Sequence, residues 1–238
     1  MGCEQLIENV GTGARVDRWL IDRPVVRSFV RSGVQTLNTP FAKARFRKEI
    51  ARMQAPVRLE IGGHNPRDGW LVTNVNAITR LYMDATKRWP LGTASVEYVF
   101  SDNVIEHLTL QAGRQFLLEA HRCMRPGGII RTVTPDVRAH IDMYLHGGSE
   151  LKNNVASHYR DIGLDVEYPI DLVRIPVAAF GHHSGYIYDF DTLAAELHRA
   201  GFSNVVRCEL GTSEHQPLRG LDLRSHEDGA QLAVEATA

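Results

Sequence analysis

Cysteine is scarce and scattered: Cys3, Cys123 and Cys208 are the only three in 238 residues. There is no C-x-x-C pair and no even framework, which sets aside a disulfide scaffold and a thiolate zinc site and fits a reducing cytoplasm. Long apolar runs are missing as well. No stretch approaches the roughly 18 residues that a membrane span needs, and the N-terminus lacks the basic and apolar regions of a signal peptide. Net charge is nearly nil, −1 overall, so the whole molecule carries no nucleic-acid signature. The dinucleotide pattern G-x-G-x-x-G is absent, because residues 62–67 read GGHNPR, and no tyrosine is followed by lysine four positions on. Nicotinamide chemistry is therefore disfavoured.

The apolar share is an ordinary 43%, ample for a core. The near-zero charge hides an asymmetry. Residues 1–58 hold 11 Lys and Arg against 5 Asp and Glu, whereas the rest of the chain is acidic. This basic segment reads as an accessory helical extension over 1–56. It contains an Arg15–Arg31 stretch interrupted by Pro24 and a helix over 39–53 with Pro40 at its first position. Phe41, Ala44, Ile50 and Met53 are expected on one side of that helix. Gly11-Thr12-Gly13 has no strand before it and reads as a lead-in.

From residue 57 onward, short apolar runs alternate with helical patterns. Strands are predicted at 57–61, 70–75, 80–83, 96–100, 128–133, 204–210 and 231–236. Helices are predicted at 110–124, capped by Thr109, at 136–145, and at 191–199, capped by Asp191 and closed by Gly201. Gly127-Gly128 should end the first of these helices. The stretch 146–188 has no clean period. The alternation implies an α/β domain with a doubly wound, mostly parallel sheet. Only residues 62–69 separate the first two strands, fewer than a helical crossover needs, so that helix must be absent or reduced to a turn.

Gly62 and Gly63 follow the first strand at once, just after Glu60. In open α/β sheets that carboxyl edge is where nucleotide-like cofactors sit. The ordered set is Gly62-Gly63-His64-Asn65-Pro66, Gly69-Trp70, Met83-Asp84-Ala85, Val96–Ser101, Val104–Leu108 and Arg125-Pro126-Gly127-Gly128. It resembles the class I S-adenosylmethionine (SAM)-dependent methyltransferases, closest to small members linked to sugar and polysaccharide biosynthesis. Likeness in length and texture extends to enzymes that methylate O1 of 3-O-methylated mannosides.

The resemblance implies a Rossmann-like domain over 57–238 that binds SAM through Glu60, Gly62, Gly63, Asn74, Asp84, Ala85 and Ser101. Each has a plainer reading beside it. The glycines can be a tight turn, Asp84 a cap, Asn74 a loop Asx-turn, and Ser101 a cap for the following turn. Asn74 stands where the family carries an aspartate for the ribose hydroxyls.

A sugar hydroxyl is too weak an acid to ionise unaided, so it needs a base or a cation. His107 is a candidate base or orienter, or a helix-start packing residue. His182, flanked by Gly181 and Gly185, is a candidate for acceptor binding or catalysis. Asp136 and His140 share a helical face and are further candidates. Glu106 and Asp136 are candidate Mg²⁺ ligands, although Asp136 also reads as an N-cap. The segment 146–188 is the expected acceptor cap, with Tyr144, Tyr159, Tyr168, Tyr186 and Tyr188 as flat faces. The partners implied are a small-molecule or oligosaccharide acceptor and a homodimer formed through the N-terminal helices. The rivals are nucleic-acid or protein methylation, and a catalytically silent SAM-binding subunit.

Overall fold

The first strand, β1 (Val57–Ile61), is VRLEI, with Val57, Leu59, Glu60 and Ile61 all buried. Near-continuous burial of this kind marks an inner strand of a parallel sheet. The computed structural model describes residues 24–76, 78–146, 150–223 and 230–238. Its sheet also contains β2 (Trp70–Thr73), β3 (Val96–Asp102), β4 (Met124–Pro135), β5 (Ser203–Cys208) and β6 (Gln231–Thr237). The order is β2-β1-β3-β4-β6-β5. Neighbours from β2 to β4 are parallel, and β6 runs antiparallel to both β4 and β5. The sheet is therefore mixed and mostly parallel, a Rossmann-like α/β arrangement with helices flanking it.

No helix lies between β1 and β2, as the short spacing requires. The two strands pair in parallel from Arg58 with Trp70 to Ile61 with Thr73. The strand expected at 80–83 shrinks to one isolated bridge, Tyr82 with Asn74.

The flanking helices are α1 (Pro24–Arg52), α2 (Leu110–Cys123), α3 (Val137–His146), α4 (Glu150–Asp161), α5 (Asp171–Ala178) and α6 (Phe190–Arg199). Several expectations are corrected here. Pro40 does not begin a helix but lies inside α1. A proline costs one backbone bond within a helix, and the turns after it are held to the core by fully buried Ala42 and Phe46. Phe41 points outward, 67% exposed. Gly11–Gly13 and the first part of the Arg15–Arg31 stretch lie outside the described residues.

Thr109 caps α2 by accepting from the Ala112 amide, as expected. The helix nevertheless ends at Cys123, and β4 begins at Met124, so Gly127-Gly128 lie within the strand. Gly128 serves close strand approach there, since a Cβ on it would stand 2.8 Å from the Glu97 carbonyl oxygen. The cap of α6 is Asp189, whose carboxylate accepts from Thr192 N at 2.9 Å, while Asp191 falls in the first turn.

The aperiodic stretch 146–188 contains α4 and α5. They enclose a small core of Met143, Val155, Tyr159, Leu172 and Ile175, separate from the main one under the sheet. Arg131 is fully buried in β4. It donates to Asp222 and Glu235 at 2.7 Å each and to the carbonyls of Glu209 and Thr212. The loop before β6 is thereby tied to the sheet. No helix among the described residues is long and apolar enough to cross a membrane.

Candidate active site

The connections from β1 and β3 leave to opposite sides of the sheet, because β1 stands between β2 and β3. The crevice beyond the ends of these strands is the switch point of a doubly wound fold. Gly62 and Gly63 bound it on one side and residues 102–104 on the other. Gly62 has φ +83°, and a Cβ on it would collide with the Val104 side chain. A Cβ on Gly63 would stand 2.6 Å from the Glu60 carboxylate. Both glycines are thus demanded by close packing at the crevice.

Asn74 locks this bend. Its amide nitrogen donates to the carbonyls of Gly62 and Gly63, at 2.8 and 3.1 Å. Its oxygen accepts from the amides of Val75 and Asn76, at 2.7 and 3.1 Å. Two donors and two lone pairs are all that a carboxamide has. These bonds form an Asx-turn and occupy every hydrogen-bonding position of the Asn74 side chain.

The remaining cofactor candidates lie around the same edge. Glu60 is buried and accepts from Arg67 Nε at 2.8 Å. Asp84 accepts from the amide and hydroxyl of Thr86, at 3.0 and 2.7 Å, which fixes the turn after the Tyr82 bridge. The Ala85 carbonyl accepts from the indole of buried Trp89. Ser101 is fully buried and its hydroxyl faces Thr132, so only its backbone is at the edge.

Next to this crevice, the structure brings two predicted residues together. His107 lies on a single 3-10 turn (Ile105–His107), and His182 on another (His182–Ser184). Their rings stand edge to face with centroids 4.6 Å apart. The glycines around His182 explain the approach. Gly181 adopts the left-handed conformation at φ +88°, and any Cβ on Gly185 would overlap the Glu106 carbonyl. The 181–185 loop therefore packs directly on the 105–107 turn. His182 is buried, and its Nδ1 lies 2.8 Å from the Pro176 carbonyl. A carbonyl only accepts, so Nδ1 carries a proton. His107 is exposed at the mouth. Partial burial and the neighbouring His182 hold its pKa below the usual histidine value.

These two imidazoles, together with that of His158, line a cavity of about 260 Å³. Its walls include Tyr159, Phe180, Ile162 and Pro176, with the amides of Asn103 and Gln231. The cavity opens beside the ends of β3 and β4 and the start of β6. No Lys, Arg, Asp or Glu belongs to its described lining. A larger groove of about 720 Å³ lies at the β5 edge, around Arg207, His215 and Arg219, and holds none of the predicted site residues.

The other candidates fall elsewhere. Asp136 is buried, accepts from the Arg138 amide at 3.0 Å, and pairs with Arg207 at 2.6 Å. Asp136 does not belong to the group of possible metal ligands that the described residues form. Glu106 instead groups with His107 and His182, with ligand atoms within 4.8 Å of one another. Two imidazoles and one carboxylate are not the oxygen-rich set that Mg²⁺ favours. His140 is buried behind the cavity, stacked on Tyr159. Of the five tyrosines expected as acceptor faces, only Tyr159 lines the cavity. Tyr188 is core, and Tyr144 and Tyr168 are exposed. Phe180 and the two amides were missed by sequence reasoning, since nothing in their local pattern marks them.

Residues 65–132 match the family model of a methyltransferase domain. The match begins at Asn65, just past the glycine bend, and covers the Asp84 turn, β3 and most of β4 as far as Thr132. No curated protein matches the chain in sequence. Solved structures are similar to the chain at low identity. A SAM-dependent methyltransferase from Thermotoga maritima is 16% identical over 89% of this chain and 96% of its own, with a TM-score of 0.43. One from Archaeoglobus fulgidus is 16% identical over 85% and 98%, at 0.42. Phosphoethanolamine N-methyltransferase 2 of Haemonchus contortus, in complex with SAM, is 15% identical over 82% and 46%, also at 0.42.

Proposed function

We propose that this protein is a SAM-dependent O-methyltransferase whose acceptor is a hydroxyl of a small neutral ring, a sugar in our reading. The observation that carries it is the meeting of His107 and His182 at a cavity on the carboxyl edge of the sheet whose described lining has no Lys, Arg, Asp or Glu. A phosphorylated or carboxylated acceptor would call for cationic partners in that lining. Flat Tyr159 and Phe180 with two amides suit a ring that is apolar on its face and polar at its rim. The segment 146–188 supplies much of this wall and acts as the acceptor cap.

SAM, when bound, would supply an electrophilic methyl group and leave as the neutral thioether. The glycine bend at 62–63 and Glu60 would hold its methionine end, Asp84 and Ala85 its adenine, and backbone groups at Ser101 its sulfonium. The protein's task is to hold the acceptor oxygen in line with the methyl carbon and to take up its proton. His107 and His182, with Glu106 behind them, form the activating group.

The test is transfer of labelled methyl from SAM to short methylated mannosides, including 3-O-methylated mannosides with O1 as the acceptor position. No incorporation across a broad sugar panel would remove the sugar assignment.

One observation favours a second reading. The saturated amide of Asn74 leaves the ribose without the carboxylate usual at that position, which fits a silent SAM-binding subunit. Tight SAM binding with no turnover on any acceptor would support it. For assembly, Leu37 and Phe41 lie one turn apart on α1 and are exposed, which supports a homodimer through that helix. Sedimentation of Phe41→Ser against the parent protein tests this.

A further inference from the structure

We propose that Glu106, His107 and His182 bind a divalent first-row transition ion of the zinc class. Their ligand atoms already lie within 4.8 Å of one another. An ion with bonds of roughly 2.1 Å asks for ligand atoms about 3–4 Å apart. His107 is the exposed member on a short turn, so it can make the closing rotation without disturbing the core.

The other two members are held in place. Glu106 is 1% exposed, and its carboxylate accepts from the Thr134 hydroxyl at 3.2 Å. His182 is 5% exposed, and its Nδ1–H is given to the Pro176 carbonyl. That is how protein ligands of this type are oriented: a backbone carbonyl fixes the tautomer and leaves Nε2 for the metal. Two imidazoles and one carboxylate suit zinc, cobalt, iron or manganese, and leave positions open for water or an acceptor oxygen. The neighbouring cavity provides that room. Packing of Gly185 against the Glu106 carbonyl brings the second histidine to the first.

Binding of the ion does not depend on the proposed methyl transfer. Its use does rest on that reading: a hydroxyl coordinated beside the crevice would lose its proton more readily.

The experiment uses the full chain, stripped with chelator and titrated with Co²⁺ in the absorption spectrometer and with Zn²⁺ in the calorimeter. One ion per chain is expected, with a cobalt d–d band of low-symmetry mixed nitrogen and oxygen ligation. Glu106→Gln and His182→Ala should weaken binding at least about tenfold to a hundredfold, the range seen when even supporting groups of a metal site are lost. His107→Ala serves as the exposed-site variant if a buried one fails to fold. His183→Ala, on an exposed neighbour, should leave binding unchanged. Absence of binding would overturn the proposal, as would binding that the site variants leave intact. Methyl transfer and SAM binding are measured in parallel on the same stripped protein. Transfer that persists at full rate without metal removes the ion from the mechanism and leaves the methyltransferase reading standing. A cobalt spectrum in a protein that never binds SAM does the reverse.

Discussion

The rings of His107 and His182 stand edge to face with centroids 4.6 Å apart, though 75 residues separate them in the chain. One is exposed and the other buried, and they meet where the cavity adjoins the cofactor crevice. Replacing either with alanine should lower kcat by roughly a hundredfold or more, whether the ring takes up the proton itself or holds the ion that acidifies the hydroxyl. SAM affinity should change little, since neither ring is expected to touch the cofactor. Steady-state kinetics with calorimetry on each variant checks this, and full turnover in both would place activation elsewhere.

Gly185 is the joint that holds the pair together. In Gly185→Ala the new methyl would overlap the Glu106 carbonyl, so the 181–185 loop must lift. We expect a loss of stability of about 1–3 kcal/mol, the cost of overpacking a tight site, and a fall in kcat beyond it. Thermal melts and turnover of Gly185→Ala against Gly163→Ala test it. Gly163 has no neighbour near its Cβ position but a φ of +83°, whereas Gly185 sits at φ −88°, so Gly163→Ala reads backbone strain without a collision and Gly185→Ala the collision without that strain.

Asn74 gives an expectation against family habit. Restoring the aspartate usual at that position should not improve SAM binding. A carboxylate cannot donate, so the Gly62 and Gly63 carbonyls would lose their partner and the bend would loosen. Asn74→Asp should bind SAM more weakly than the parent chain. Tighter binding would show that the side chain reaches the ribose after all.

Much of the sheet is readable from the sequence because β1, β3 and β4 are short apolar runs with turn residues at their ends. The missing crossover follows from the eight positions between β1 and β2, too few for a helix. Asp189 and Asp191 are both plausible caps by residue type, and only backbone conformation decides between them. The helices α4 and α5 escape detection because they bury narrow faces, such as Val155, Ala156 and Tyr159 in α4, against a small separate core. At the site, His107 and His182 stand out by their neighbours in sequence. Their meeting, and the diversion of Asp136 to Arg207, depend on tertiary packing that no local pattern encodes.

The buried cluster around Arg131 predicts a structural effect. Asp222→Asn leaves the guanidinium with one carboxylate fewer at a site of zero exposure. Breaking a buried pair by removing one partner costs about 3–5 kcal/mol. Part of this is offset here by Glu235 and two carbonyls, so the lower end is expected. Urea unfolding of Asp222→Asn measures it, and a change under about 0.5 kcal/mol would contradict the account.

Acid should destabilise the fold through named carboxylates. Arg122 holds the Glu119 carboxyl below its ordinary value, and Arg114 does the same for Glu196. For a carboxyl depressed in the folded state, the stabilisation is complete above the unfolded pKa, about 4.3 for glutamate. It is lost as pH falls through the lower folded value. Unfolding free energies between pH 7 and pH 3 should show that decline, with a shallower slope in Glu119→Gln. An unchanged slope would remove Glu119 from the explanation.

The most direct test of the central claim is a crystal structure with S-adenosylhomocysteine, the product that SAM leaves behind. The account predicts the nucleoside in the crevice between the Gly62–Gly63 bend and the Asp84 turn, with its sulfur facing the cavity of His107 and His182. A sulfur directed away from those histidines, or the nucleoside bound instead in the groove at the β5 edge, would contradict it.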